Sequence, residues 1–188
     1  MIRSAIAFGL DGLAFTDHQL LVPPEQLAEL NKTYAPFRVF SGIEIHTVEE
    51  EDFLVIGVSD PGLSDRNWLY AELFAFVRER GGFLVLAHPF RFRDTIRVDI
   101  ETHRPDAIEV ASTNIDPATE PRIRKAIEHV GCAPFHASDA HQSDRVGMFY
   151  VDVQGVPQTN AELVELLRKG AYTCGLMADR VAALRASK

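Results

Sequence analysis

A chain of 188 residues is long enough to bury one core without disulfide or metal staples, and a single domain over 1–188 is expected. Apolar residues make up 46% of it and charged residues 24%, and the net charge of −8 with no basic block excludes nucleic acid or anionic membrane as the main partner. No apolar run reaches the length of a membrane span, the amino terminus lacks the layout of a signal peptide, and Cys132 and Cys174 form no CxxC pair, so a cytoplasmic protein with reduced thiols is expected.

In chain order, 1–8 has the apolar spacing of a helix, with Ile2, Ala5 and Ile6 on one side and Gly9 as a stop. The segment 10–16 reads as a buried strand ending at Asp17-His18. Pro23-Pro24 opens a helix to about Lys32, since proline is tolerated in a first turn. Strands are predicted over 37–47 and 52–58, separated by the acidic turn Glu49-Glu50-Glu51. Asp65 or Asn67 caps a helix to Arg80 with Leu69, Leu73, Phe76 and Val77 as its stripe, and Gly81-Gly82 ends it. The run 83–88 is almost wholly apolar, the mark of a strand covered on both faces. A short strand over 105–112, a helix over 117–130 closed by Gly131, and a strand over 133–138 follow. Strands over 148–153 and 172–176 flank a helix capped by Asn160, and a terminal helix runs from 178 to the end. This alternation predicts an α/β fold with a largely parallel sheet.

The chemistry gathers at strand ends. Four apolar runs close on metal-capable residues: Ala14-Phe-Thr-Asp-His18, Phe40-Ser-Gly-Ile-Glu44-Ile-His46, Leu84-Val-Leu-Ala-His88 and Ala133-Pro-Phe-His-Ala-Ser-Asp139-Ala-His141. Convergence of such ends favours a barrel rim over an open doubly wound sheet, which would need a phosphate-binding glycine loop after its first strand. His18, Glu44, His88, Asp139 and His141 supply five ligands, a set suited to zinc, manganese or iron, and enough for two ions that share a carboxylate. Asp17 and His46 are candidates for proton handling, His46 facing the side of Glu44 on a strand. Glu109 reads as an orienting partner of a ligand. Arg91 and Arg93, just after His88-Pro89-Phe90, are candidates for phosphate recognition. No nucleophile elbow is present, so serine-type acyl transfer is not supported.

Taken together, Gly9-Leu-Asp-Gly-Leu-Ala-Phe-Thr-Asp-His18, Gly42-Ile-Glu44, Ala87-His88-Pro89, Ala107-Ile-Glu-Val110 and Ser138-Asp-Ala-His141 resemble the PHP family, the polymerase and histidinol phosphatase domain. The resemblance implies a distorted (β/α)7 TIM-like barrel binding one to three divalent ions and acting as a phosphoesterase. It implies that Glu44 bridges two ions, that His88 and Asp139 serve one, and that His18 and His141 serve another. The family pattern opens on a strand ending in His-x-His, and no His-x-His occurs in this sequence. A barrel lacking its first strand is therefore expected, with weakened metal binding and an open strand edge that favours a homo-oligomer. The function this implies is hydrolysis of a small phosphorylated metabolite or nucleotide by a metal-bound hydroxide. The alternatives are a weak or inactive metal-binding domain with a regulatory or assembly role, and hydrolysis of a carbon–nitrogen bond on a related barrel.

Overall fold

A computed structural model describes residues 1–186. Helix α1 (Ile2–Ala7) leads into strand β1 (Gly12–Ala14), then α2 (Pro24–Thr33), β2 (Arg38–Phe40), β3 (Gly42–His46) and β4 (Asp52–Ile56). Helix α3 (Tyr70–Glu79), β5 (Phe83–Leu86), β6 (Ala107–Ala111), α4 (Glu120–Val130) and β7 (Ala133–His136) follow. The chain continues through β8 (Phe149–Val153), α5 (Asn160–Arg168), β9 (Tyr172–Leu176) and α6 (Ala178–Ala186). The expected terminal helix is thus present, and its last two positions, 187 and 188, lie outside the described residues.

Among the described residues the strands fall into three sheets rather than one closed ring: β1-β2, β3-β4-β5-β6-β7, and β8-β9. The fold is mixed α/β, and no closed sevenfold barrel forms in the hydrogen-bonded ladders. The expectation of a largely parallel sheet is corrected. Pairs β1-β2, β5-β6 and β6-β7 are parallel, while β3-β4, β4-β5 and β8-β9 are antiparallel. The reason lies in the connection 47–51, which is too short for a crossover and permits only a hairpin. Within it the Thr47 N–H and hydroxyl both donate to the Glu51 carbonyl, each at 2.9 Å.

The single strand expected over 37–47 is two strands. Ser41 interrupts it because its backbone groups are engaged elsewhere: its N–H donates to Asn160 Oδ1 at 3.0 Å, and its carbonyl accepts from the Gly57 N–H at 2.9 Å. Its hydroxyl donates to the Val58 carbonyl at 2.6 Å. The five-stranded sheet is covered on both faces. Phe53, Val55, Leu84 and Leu86 pack with Trp68, Tyr70, Leu73 and Ile123 from the α3 and α4 side. Leu54, Ile56, Phe83 and Val85 pack with Leu163, Val164 and Leu167 of α5. Side chains alternate across a strand, so Glu44, between Ile43 and Ile45 of the first cluster, projects to the opposite face. Helices α1 and α2 cover β1 and β2 in a separate cluster around Ile2, Leu27, Phe37 and Val39. No described helix is long and apolar enough to cross a membrane.

Candidate metal centre

Glu44 sits in the middle of β3, directly opposite Leu54, with only 5% of its surface exposed. Its Oε1 lies 3.2 Å from His88 Nε2 and 3.7 Å from His18 Nδ1. His88 follows β5 and is 6% exposed, with its backbone at φ +25°, a region costly for a non-glycine residue. Strain of that kind persists only where neighbours hold it, and here the buried Glu109 carboxylate accepts the His88 N–H at 2.7 Å. Glu109 thus fixes the backbone of His88 rather than a ring nitrogen.

The third member of this group is Asp52, which opens β4 directly opposite His46. Its Oδ1 lies 2.7 Å from His46 Nδ1 and its Oδ2 lies 3.8 Å from His88 Nδ1. One donor atom each from Glu44, Asp52 and His88 lies within 4.8 Å of the others. Two carboxylates and an imidazole suit zinc, manganese or iron. The electrostatics agree with that donor set. Burial alone lowers the His88 imidazole, but the Glu44 hydrogen bond and the charges of Glu109, Glu44 and Asp52 outweigh it and raise it to about 9. Burial pushes Glu109 up to about 8, against the charge and N–H of His88. The carboxylates around His88 therefore favour positive charge at this position.

A second group lies beside the first. Asp139 follows β7 at φ +46°, with its side chain 11% exposed, and its Oδ1 is 3.6 Å from His141 Nδ1. The His141 and His18 rings stand 5.9 Å apart, both more than half exposed. His18 in turn meets Glu44, so Glu44 stands between the two groups. A cavity of about 830 Å³ opens against His18, Glu44, Asp139 and His141 and also touches Asp17.

Of the other predicted residues, His46 is half exposed at the rim and bonded to Asp52. Arg91 reaches the group, its Nη1 lying 3.9 Å from Asp139 Oδ2. Arg93 turns the other way: it donates to the Glu50 carbonyl at 2.6 Å and to the Glu50 carboxylate at 2.9 Å. Asp52 was not among the residues singled out from the sequence. Its signal was the short connection after His46, which in a hairpin sets positions 46 and 52 face to face.

A family model described as PHP-associated (PHP_C) matches residues 120–172. No curated protein matches the chain. Among solved structures the chain is similar to PsfC from Pseudomonas syringae PB-5123, with a TM-score of 0.73 at 20% identity, over 98% of this chain and 84% of that one. It is also similar to a two-domain protein from Bacteroides vulgatus ATCC 8482 containing a predicted PHP-like metal-dependent phosphoesterase, with a TM-score of 0.69 at 16% identity. That match covers 93% of this chain and 59% of the other. A third likeness, over 95% of this chain and 92% of the other, is to an amidohydrolase from Chromobacterium violaceum with bound sulfate and no metal, at 16% identity and a TM-score of 0.62. Residues 120–172 thus match a PHP-associated sequence model, and the chain as a whole shares the fold of a protein that contains a predicted PHP-like phosphoesterase.

Proposed function

We propose that the chain is a metal-dependent phosphoesterase acting on a small phosphorylated metabolite or nucleotide. The observation that carries this reading is the buried Glu44–Asp52–His88 set, whose imidazole holds a proton well above its ordinary range among carboxylates. Glu44, Asp52 and His88 would hold one divalent ion, zinc, manganese or iron, and Asp139, His141 and His18 would hold a further one beside the shared Glu44. A bound ion supplies Lewis acidity toward the phosphoryl group and toward the attacking water. In the reaction the water oxygen forms a new bond to phosphorus as the ester P–O bond breaks. The proton released by the water ends on the leaving alkoxide.

The chain's own groups then take definite parts. Arg91, 33% exposed beside Asp139, is placed to meet a phosphoryl oxygen, whereas the Arg93 guanidinium is already engaged by Glu50. His46, bonded to Asp52 yet half open to solvent, is placed to pass a proton outward, and Asp17 on the cavity wall is a second candidate. A cytoplasmic setting belongs to this reading and accords with two unpaired cysteines. The likeness to an amidohydrolase favours a second reading, hydrolysis of a carbon–nitrogen bond at the same ions. Metal analysis combined with a screen of phosphomonoesters, phosphodiesters and amides separates the two. Turnover of phosphoesters that stops on chelation is the expected result, and turnover of amides alone would replace it.

A further inference from the structure

We propose that Asn114 is a positioning residue that selects which oxygen of Asp139 serves a metal ion. The inference rests on the reading above, in which Asp139 is a ligand. Strand β6 carries an irregularity against β7: Glu109 pairs with Phe135 but Ala111 with His136, so one residue more is used on β6. Such bulges re-aim the chain next to functional sites. Beyond β6 the chain stays beside the end of β7, the Thr113 N–H donating to the Ser138 carbonyl at 3.3 Å. The Thr113 hydroxyl donates to the Ser138 carbonyl at 2.9 Å and to the Asp139 carbonyl at 3.2 Å. The Asn114 amide donates to the Asp139 carbonyl at 3.1 Å and to Asp139 Oδ2 at 2.7 Å.

Asn114 thus holds both the backbone and the side chain of a residue whose φ is +46°. A carboxylate has two equivalent oxygens and rotates freely unless one is claimed. With Oδ2 taken by Asn114 and facing Arg91, Oδ1 is the oxygen turned toward His141. The side chain is thereby set as a one-oxygen ligand before any ion arrives. Partners of this kind typically change metal affinity about 10- to 100-fold when lost.

The test is cobalt(II) and zinc titration of the full chain as wild type, Asn114→Ala, Asn114→Asp and Asp139→Asn, with cobalt absorption as a spectroscopic readout. Asn114→Asp keeps the size of the side chain and removes the donor, so it serves if Asn114→Ala fails to fold. The expected result is one ion weakened about 10- to 100-fold in both Asn114 variants, with an altered cobalt spectrum and the ion at Glu44, Asp52 and His88 unaffected. Loss of an ion in Asp139→Asn with unchanged affinity in both Asn114 variants would overturn the role of Asn114 alone. Unchanged binding in Asp139→Asn would overturn the ligand reading itself, and the role of Asn114 with it.

Discussion

His88 and His141 each follow a strand, yet one is 6% exposed, bonded at Nε2 to Glu44 with Asp52 3.8 Å from its Nδ1, while the other has a 56% exposed side chain beside a single carboxylate. The partners of His88 come from neighbouring strands β3 and β4 and the adjacent β6, so ladder register sets their spacing. The partners of His141 come from residues beyond the ends of β1 and β7, in different sheets. A ligand set drawn from one sheet is organised before the ion binds. A set drawn from the ends of separate sheets is completed by the ion.

The largest expected effect of breaking this contrast is at His88. In His88→Ala the clustered carboxylates of Glu44, Asp52 and Glu109 lose their counter-charge. Phosphoester turnover should fall by two orders of magnitude or more, and the metal-free protein should lose about 3 kcal/mol, as when one partner is removed from a buried pair. Kinetics and denaturant unfolding check both. A His141→Ala protein that loses as much stability would abolish the distinction between the two groups. Metal should act in the opposite sense. At a free ion concentration of 100 times the dissociation constant, native-state binding adds about 2.7 kcal/mol, read as a rise in melting temperature that a chelator reverses.

Asp52→Asn should come next, weakening the ion at the buried group about 10- to 100-fold while the ion served by His141 is retained. Loss of both ions together would show one cooperative site instead of two. Dependence on pH sharpens the comparison further. The His88 imidazole is raised from 6.5 to about 9 in the folded chain, so its proton stabilises the metal-free fold fully below about pH 6.5, and that contribution is lost as pH rises through about 9. An ion must displace that proton, so affinity at the buried group should rise about tenfold per unit between pH 7 and 9 and then level off. Calorimetry across that range decides it, and a flat profile would mean that His88 is not a ligand. The smallest effect is expected for His141→Ala in metal-free protein, within about 0.5 kcal/mol of the parent, because the ring is mostly solvated.

Local signals were legible in the sequence where a single run of residues carried them. The apolar stretch 83–88 named both a buried strand and the histidine at its end, and Gly131 closes α4 at φ +72° as a helix stop should. What depended on pairing was not legible. Asp52 read only as the first residue of a strand, because its place opposite His46 comes from the hairpin pairing of β3 with β4. Ser41 read as mid-strand, because the groups that claim its backbone, Gly57 and Asn160, lie far along the chain. Arg93 and Arg91 have equal claim in sequence, and only the position of Glu50 separates them.

The joint between the small and large sheets has a further consequence. Strand β1 is three residues long and pairs with β2, while residues 17–19 meet β3 through the Gln19 N–H on the Glu44 carbonyl at 2.8 Å and the Glu44 N–H on the Asp17 carbonyl at 3.2 Å. So short a ladder opens at lower free energy than the β3–β5 core, and its amides, that of Arg38 on the Asp11 carbonyl among them, should exchange with solvent deuterium sooner. An ion drawing His18 onto Glu44 would fasten the carboxyl end of that segment to the large sheet, and exchange in β1 would slow while exchange in β4 stayed as it was. Occupancy of the centre would then be readable at the backbone of a strand that supplies no ligand of its own.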